Sequence, residues 1–207
     1  MAAPDAVVFD LGGVLIDWDP RHLYRKVFAT ETETERFLSE VCTGAWNLEQ
    51  DRGRPLATAT AALVAAHPHE RERIEMYYGR WTEMLNGQIA GTVEVVEELH
   101  GRGVPLFALT NWSAETWAMA RPLYPVLDRF RGILVSGMVG MIKPDPAIYR
   151  RLCADFGLTP ARAAFTDDSP KNVAGAAALG FRAHHFTSPI KLRRWLVDLG
   201  LLPEERA

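Results

Sequence analysis

The pattern that most constrains this chain is a recurrent one, in which a short apolar run stops abruptly at polar residues and a helical stretch follows. Val7-Val8-Phe9 leads into Asp10 and then Gly12-Gly13, which reads as a buried strand delivering an acid to a tight turn. Residues 104–109, 132–136 and 161–165 repeat the design, ending at Thr110-Asn111, Ser136-Gly137 and Thr166-Asp167-Asp168, with a weaker run at 183–186 before Thr187-Ser188. Amphipathic stretches lie between them, residues 92–100 closed by Gly101 and residues 145–156 closed by Gly157. Strands alternating with helices predict an α/β chain with a Rossmann-like parallel sheet and helices on both faces. In open sheets of this kind chemistry sits beyond the carboxyl ends of the strands, so Asp10, Thr110-Asn111 and Asp167-Asp168 are expected to converge.

One segment breaks the alternation. Residues 17–89 contain no strand-like run and read as helical over 20–30, 33–41, 56–66 and 70–85. That is too much helix for one crossover, and it predicts an inserted α-helical cap subdomain between two parts of the core, 1–16 and 90–207.

Composition narrows the function classes. The chain has 207 residues, 48% hydrophobic and 24% charged, enough for one sizeable core. A net charge of −3 with scattered Lys and Arg gives no electrostatic footprint for nucleic acid, while a small anionic substrate remains compatible. Cys42 and Cys153 are far apart, which speaks against a disulfide or zinc framework and predicts a reducing, cytoplasmic setting. No apolar stretch reaches the ~20 residues of a membrane span, and the N-terminus lacks the basic region of an export signal. Oligomeric state is left open.

Three sets of residues carry candidate chemistry. Asp10, Asp167 and Asp168 would crowd one sheet edge, where like charges cost stability unless a cation neutralises them, and hard oxygen ligands suit magnesium. Thr110-Asn111 offers a hydroxyl and a backbone amide to an anion before the helical start at Ser113. Lys143, in Ile142-Lys143-Pro144, brings a point charge that would offset negative charge accumulating beside an attacking aspartate. No GxxxxGK loop is present, so a kinase reading has no support.

Together these residues resemble the haloacid dehalogenase (HAD) superfamily over nearly the whole chain. Phe9-Asp10-Leu11-Gly12-Gly13-Val14 is similar to the first family motif, Leu109-Thr110-Asn111 to the second and Ile142-Lys143-Pro144 to the third. Phe165-Thr166-Asp167-Asp168-Ser169-Pro170-Lys171-Asn172 is similar to the fourth, and the helical insert matches the position of the family's small cap. The nearest likeness is to sugar-phosphate phosphatases and the phosphatase domain of soluble epoxide hydrolases. The resemblance implies a magnesium-dependent phosphatase acting on a small phosphate ester, with Asp10 as nucleophile and aspartyl-phosphate carrier. It further implies magnesium held by Asp10, the Gly12 carbonyl, Asp168 and Asp167. Thr110, the Asn111 amide and Lys143 would hold phosphate oxygens, with Asn172 orienting Lys143 or a metal-bound water.

Gly12 departs from the family pattern, since many family phosphatases carry there a second aspartate that serves as general acid and base. Its loss, typically worth 10²–10⁴-fold, is expected to favour activated esters such as sugar 1-phosphates or aryl phosphates. A carboxylate from the cap, or Asp17 or Asp19, is the alternative donor. Two other functions stand beside the phosphatase. A 2-haloacid dehalogenase would use the same aspartate without metal, though such relatives tend to carry Tyr two residues after it and Ser-Ser-Asn in the fourth motif. A binding or regulatory protein on the same fold would explain Gly12 and leave the retained nucleophile without a use.

In the insert, Trp46, Asn47 and Arg52 have two readings: helix-corner packing with Trp46 in the cap core, or substrate selection over the site, with Trp46 as a binding residue. Trp18 has the same two readings, whereas Trp112 is expected in the pocket and Trp117 in packing. His67, His69, His184 and His185 lack partner ligands, and residues 190–199 read as an amphipathic helix docked on the sheet.

Overall fold

The computed structural model describes residues 3–204. The chain enters through β1 (Ala6–Phe9), and the short β2 (Ile16–Trp18) follows the turn. Five helices come next: α1 (Arg21–Tyr24), α2 (Glu31–Glu40), α3 (Gly44–Asp51), α4 (Leu56–Ala66) and α5 (Arg71–Gly79). β3 (Leu85–Gln88) returns the chain to α6 (Ala90–Gly101) and β4 (Leu106–Thr110). Thereafter run α7 (Ala114–Ala120), β5 (Gly132–Val135), α8 (Ser136–Val139), α9 (Pro146–Phe156), β6 (Ala163–Asp167), α10 (Pro170–Ala178), β7 (Arg182–His185) and α11 (Pro189–Asp198).

Five strands form one parallel sheet in the order β5-β4-β1-β6-β7. All four residues of β1 are buried, and they alternate between two cores: Val7 and Phe9 on one face, Ala6 and Val8 on the other. A strand buried on both faces must read as a continuous apolar run, which is why this period-2 split is invisible as polarity. The first core also takes in α6 and α11 through Val95, Val96, Leu99, Leu192 and Leu196. The second takes in α9 and α10 through Ile148, Tyr149, Leu152 and Ala176. The α11 stretch therefore docks on the sheet by its apolar stripe, as its pattern predicts.

Capping chemistry sets the helix ends. Asp145 accepts from the Ala147 amide at the start of α9, and Gly157 closes the helix in the left-handed region at φ 66°. Thr30 and Glu33 make a reciprocal capping box at α2. Among the described residues, no helix is long and apolar enough to cross a membrane.

The segment between β1 and α6 corrects the sequence reading in three places. It is not free of strands, because β2 and β3 pair antiparallel at its two ends, Ile16 with Gln88 and Trp18 with Leu85. Three- and four-residue strands, one of them Leu-Asn-Gly-Gln, are too short to show an alternation and form only because a partner supplies the hydrogen bonds. The predicted helix at 20–30 is one turn of α1 followed by turns, and the predicted helix at 70–85 ends at Gly79. Residues 44–51, by contrast, are helical, with Thr43 accepting from the Trp46 amide as N-cap.

Candidate active site

β1 lies between β4 and β6, with Phe9 opposite Ala108 on one side and Thr166 on the other. One residue beyond that register, Asp10 emerges at the carboxyl edge, its amide donating to the Thr166 carbonyl at 2.9 Å. Thr110 ends β4 and Asp167 ends β6, both fully buried, so the parallel register brings the strand ends together.

Lys143 binds the cluster. Its ammonium, buried with the rest of the side chain, lies 2.8 Å from Asp10 Oδ2 and 2.6 Å from Asp167 Oδ2. Burial alone would pull its pKa down, but the two carboxylates outweigh that and raise it, so the ammonium stays charged. Asn111 holds the loop that carries it. The Asn111 side chain accepts from the Lys143 amide at 2.8 Å and donates to the Lys143 carbonyl at 3.0 Å. Asp167 is held in turn by the Ser169 amide at 2.9 Å and the Asn172 side-chain amide at 3.0 Å. Asn172 thus acts on Lys143 at one remove, by fixing the carboxylate that faces it.

Three acids face that one ammonium. Asp10, Asp167 and Asp168 each present an oxygen, all within 4.8 Å of one another, with Asp10 and Asp167 buried and Asp168 exposed. Burial raises the Asp10 pKa most; Lys143 opposes the rise, and Asp167 and Asp168 add to it. A divalent cation with a preference for oxygen would reverse that penalty, so the donor set fits magnesium. Gly13 makes the approach possible. It sits at φ 70°, and a Cβ there would stand 2.5 Å from Asp168 Oδ2. At Gly12, by contrast, a Cβ would meet nothing within 4 Å. The fold leaves room for a side chain at Gly12 that the sequence does not supply.

Gly12 opens onto a cleft of about 50 Å³ between the sheet edge and the helical segment. Asn111, Trp112 and Thr116 line it from the core, and Trp18, Asn47, Asp51 and Trp81 from the other side. The indole N–H groups of Trp18 and Trp112 are buried with no partner among the described residues. Trp112 is therefore a pocket residue as expected, while Trp117 packs against it at 5.6 Å between ring centroids. Trp46 does not line the cleft: its ring meets Tyr77 and Tyr78 at 5.1 and 5.4 Å. Arg52 is exposed and pairs with Glu49. Of the three residues singled out there, Asn47 alone reaches the site, because a helix sends neighbouring residues to different faces.

A match to the family model described as haloacid dehalogenase-like hydrolase runs over residues 4–180. The chain belongs to this family. Among its relatives, a sesquiterpene phosphatase of Aspergillus oryzae is 26% identical over 186 residues, which cover 89% of this chain and 91% of that one. A phosphorylated carbohydrates phosphatase of Thermotoga maritima is 24% identical over 179 residues, 85% of this chain and 82% of the other. Among solved structures, the magnesium complex of a HAD-family enzyme from Bacteroides thetaiotaomicron superposes with a TM-score of 0.67 at 22% identity, covering 88% and 93% of the two chains.

Sequence reasoning missed two residues of this HAD-like hydrolase. Ser136, fully buried, accepts from the Trp112 amide at 2.9 Å and donates to the Asp51 carbonyl at 2.5 Å. It ties the end of β5 to the end of α3, and only its position after an apolar run marked it. Asp51 lacked even that signal, lying among polar helix residues with nothing to distinguish it from a solvated surface acid. His67, His69, His184 and His185 join no metal-capable cluster among the described residues, and the His184 ring stacks on Trp195 at 4.8 Å.

Proposed function

We propose that this hydrolase is a magnesium-dependent phosphatase that cleaves small phosphate monoesters, sugar phosphates among them, through a phosphorylated Asp10. The observation that carries this reading is the single buried ammonium of Lys143 shared by Asp10 and Asp167, with Asp168 beside them at the edge of the sheet. In this reading residues 1–16 and 90–207 form the catalytic core and residues 17–89 the cap. The two cysteines, both free, fit a cytoplasmic setting.

One Asp10 oxygen attacks phosphorus as the bond to the leaving oxygen breaks, and water then cleaves the acyl phosphate. Asp10 is oriented for attack by the Leu11 amide, which donates to its Oδ1 at 2.7 Å, and by Lys143 at its Oδ2. Lys143 offsets charge on the phosphoryl oxygens, while the Thr110 hydroxyl and the Asn111 backbone amide are the neutral donors to them. Asp167, saturated by Lys143, Ser169 and Asn172, keeps the ammonium in place. Asp10, the Gly12 carbonyl and Asp168, with Asp167 in reach, would hold the magnesium, which would supply positive charge against the phosphoryl group. An oxygen-bearing leaving group is favoured by the cleft, where the two unpartnered indole donors of Trp18 and Trp112 would otherwise stay unsatisfied.

The test is phosphate release from a panel of sugar, alkyl and aryl phosphates with magnesium and with chelator, using the wild-type chain and Asp10→Asn. Turnover that requires magnesium and falls on the order of 10⁴-fold or more in Asp10→Asn is expected, the scale of losing a nucleophile. Turnover indifferent to either change would sink the reading. Metal-independent halide release from a 2-haloacid would replace it with dehalogenation.

A further inference from the structure

The cleft holds one ionisable side chain that the chemistry above does not use. Asp51 is the last residue of α3, and it lines the cleft together with Gly12 and Asn111. We propose that Asp51 is the general acid and base of this hydrolase, delivered from the end of α3 into the space left open at Gly12. The assignment rests on the phosphatase reading and supplies the proton transfers that reading lacks.

Three observations carry it. The first is vacancy, since a Cβ on Gly12 would meet nothing within 4 Å while the neighbouring Gly13 has no such room. The second is delivery. Ser136 pins the Asp51 carbonyl to the core, and the turn that follows α3 sits close to α8, with a Cβ on Gly53 reaching 3.4 Å from the Gly137 carbonyl. The backbone that carries the carboxylate is thereby fixed relative to the sheet edge and not only to its own helix. The third is its sparse bonding. The side chain accepts from the Asn47 side chain at 3.3 Å, a long bond, and from the Ser113 amide, with no cation paired to it among the described residues, so it keeps acceptor capacity for a ligand. Asp17 and Asp19, the other downstream acids, are committed elsewhere: Asp17 to His22 and Asn86, Asp19 to Arg21. Neither lines the cleft.

The electrostatics agree with this geometry. Burial pushes the Asp51 carboxyl up to about 7, against the pull of the Ser113 amide and the Lys143 charge. Tyr77 and Tyr78 from α5 face it as well, and both remain neutral because burial raises their pKa values further. A group that titrates near neutrality can give a proton in one step and take one in the next. In the first step Asp10 bonds to phosphorus, the ester P–O bond breaks, and protonated Asp51 gives its proton to the departing alkoxide. In the second, the Asp51 carboxylate takes a proton from a water whose oxygen bonds to phosphorus as the P–O bond to Asp10 breaks. Inorganic phosphate leaves, and both carboxyl groups return to their starting states.

The experiment compares kcat for phosphate monoesters of graded leaving-group pKa, from 2,4-dinitrophenyl to simple alkyl, in the full-length magnesium-loaded chain. Wild type, Asp51→Asn, Asp51→Asn with Gly12→Asp, and Asp10→Asn are measured side by side. For alkyl esters, Asp51→Asn is expected to lose ~10²–10⁴-fold in kcat, and for the dinitrophenyl ester less than about 10-fold. Wild-type alkyl turnover should decline as pH rises past about 7, as the acid is lost, and that limb should vanish in Asp51→Asn. Gly12→Asp should restore alkyl turnover in the Asp51→Asn background. An equal loss on every ester, a loss confined to KM, or an unchanged pH profile overturns the assignment and leaves the phosphatase reading standing. A wild-type chain that hydrolyses no ester, or an active Asp10→Asn, overturns both.

Discussion

The two walls of the cleft are built differently. On the sheet side, the buried charged groups are held by several partners: Lys143 by two carboxylates, Asp167 by Lys143, Ser169 and Asn172, and the Lys143 loop by both ends of the Asn111 amide. On the helical side, among the described residues, Asp51 accepts a long bond from the Asn47 side chain and one from the Ser113 amide, with no paired cation, and Trp18 offers an indole N–H with no partner, as Trp112 does across the cleft. Satisfied networks rigidify, whereas unsatisfied donors and a lightly held acid wait for a ligand. On the proposed reading the difference divides the labour: the sheet edge fixes attack on phosphorus, and the helical wall meets whatever leaves.

Three substitutions probe that division in descending order of effect. Lys143→Met should be the most damaging, because it leaves Asp10 and Asp167 buried without a counterion; a loss of ~3–5 kcal/mol is expected in urea unfolding without metal. A variant as stable as wild type would show that the sheet side does not depend on that ammonium. Ser136→Ala strands the Trp112 amide and the Asp51 carbonyl, at a cost of ~1–3 kcal/mol by the same measurement. If the seam between the walls positions Asp51, its turnover should fall more for alkyl than for dinitrophenyl esters. Trp46→Phe should do least. Its ring packs on Tyr77 and Tyr78 away from the cleft, so thermal unfolding should change by no more than about 1.5 kcal/mol and kcat/KM across the ester panel should keep its rank order. A reordered panel would move Trp46 back among the selectors.

The core was legible because its signal is local and repeated. The three central strands β1, β4 and β6 are runs whose every residue is buried, and each run stops at the polar residues that the sheet then gathers at one edge. Lys143 was legible as a charge beside a proline, but its bond to Asp167 required the fold, since the two stand 24 residues apart. The helical insert was less legible. Strands β2 and β3 exist through pairing across a long separation, and α3 carries a polar sequence whose faces differ only once the partner surfaces are known. Trp46 drew attention by its size and Asp51 only as one unnamed carboxylate among those of the cap, yet Asp51 lines the cleft and Trp46 does not.

By itself, the sequence determined the parallel sheet, the set of residues at its carboxyl edge and the gap at Gly12, because apolar runs and their polar stops follow from local burial. Tertiary structure alone decided what faces that gap. The end of α3, which lines the cleft with Gly12, is pinned by a serine just after β5, 85 residues from the aspartate it holds. No spacing in the chain encodes such a contact; it follows from two surfaces packing, which brings an acid into a space the first motif left open.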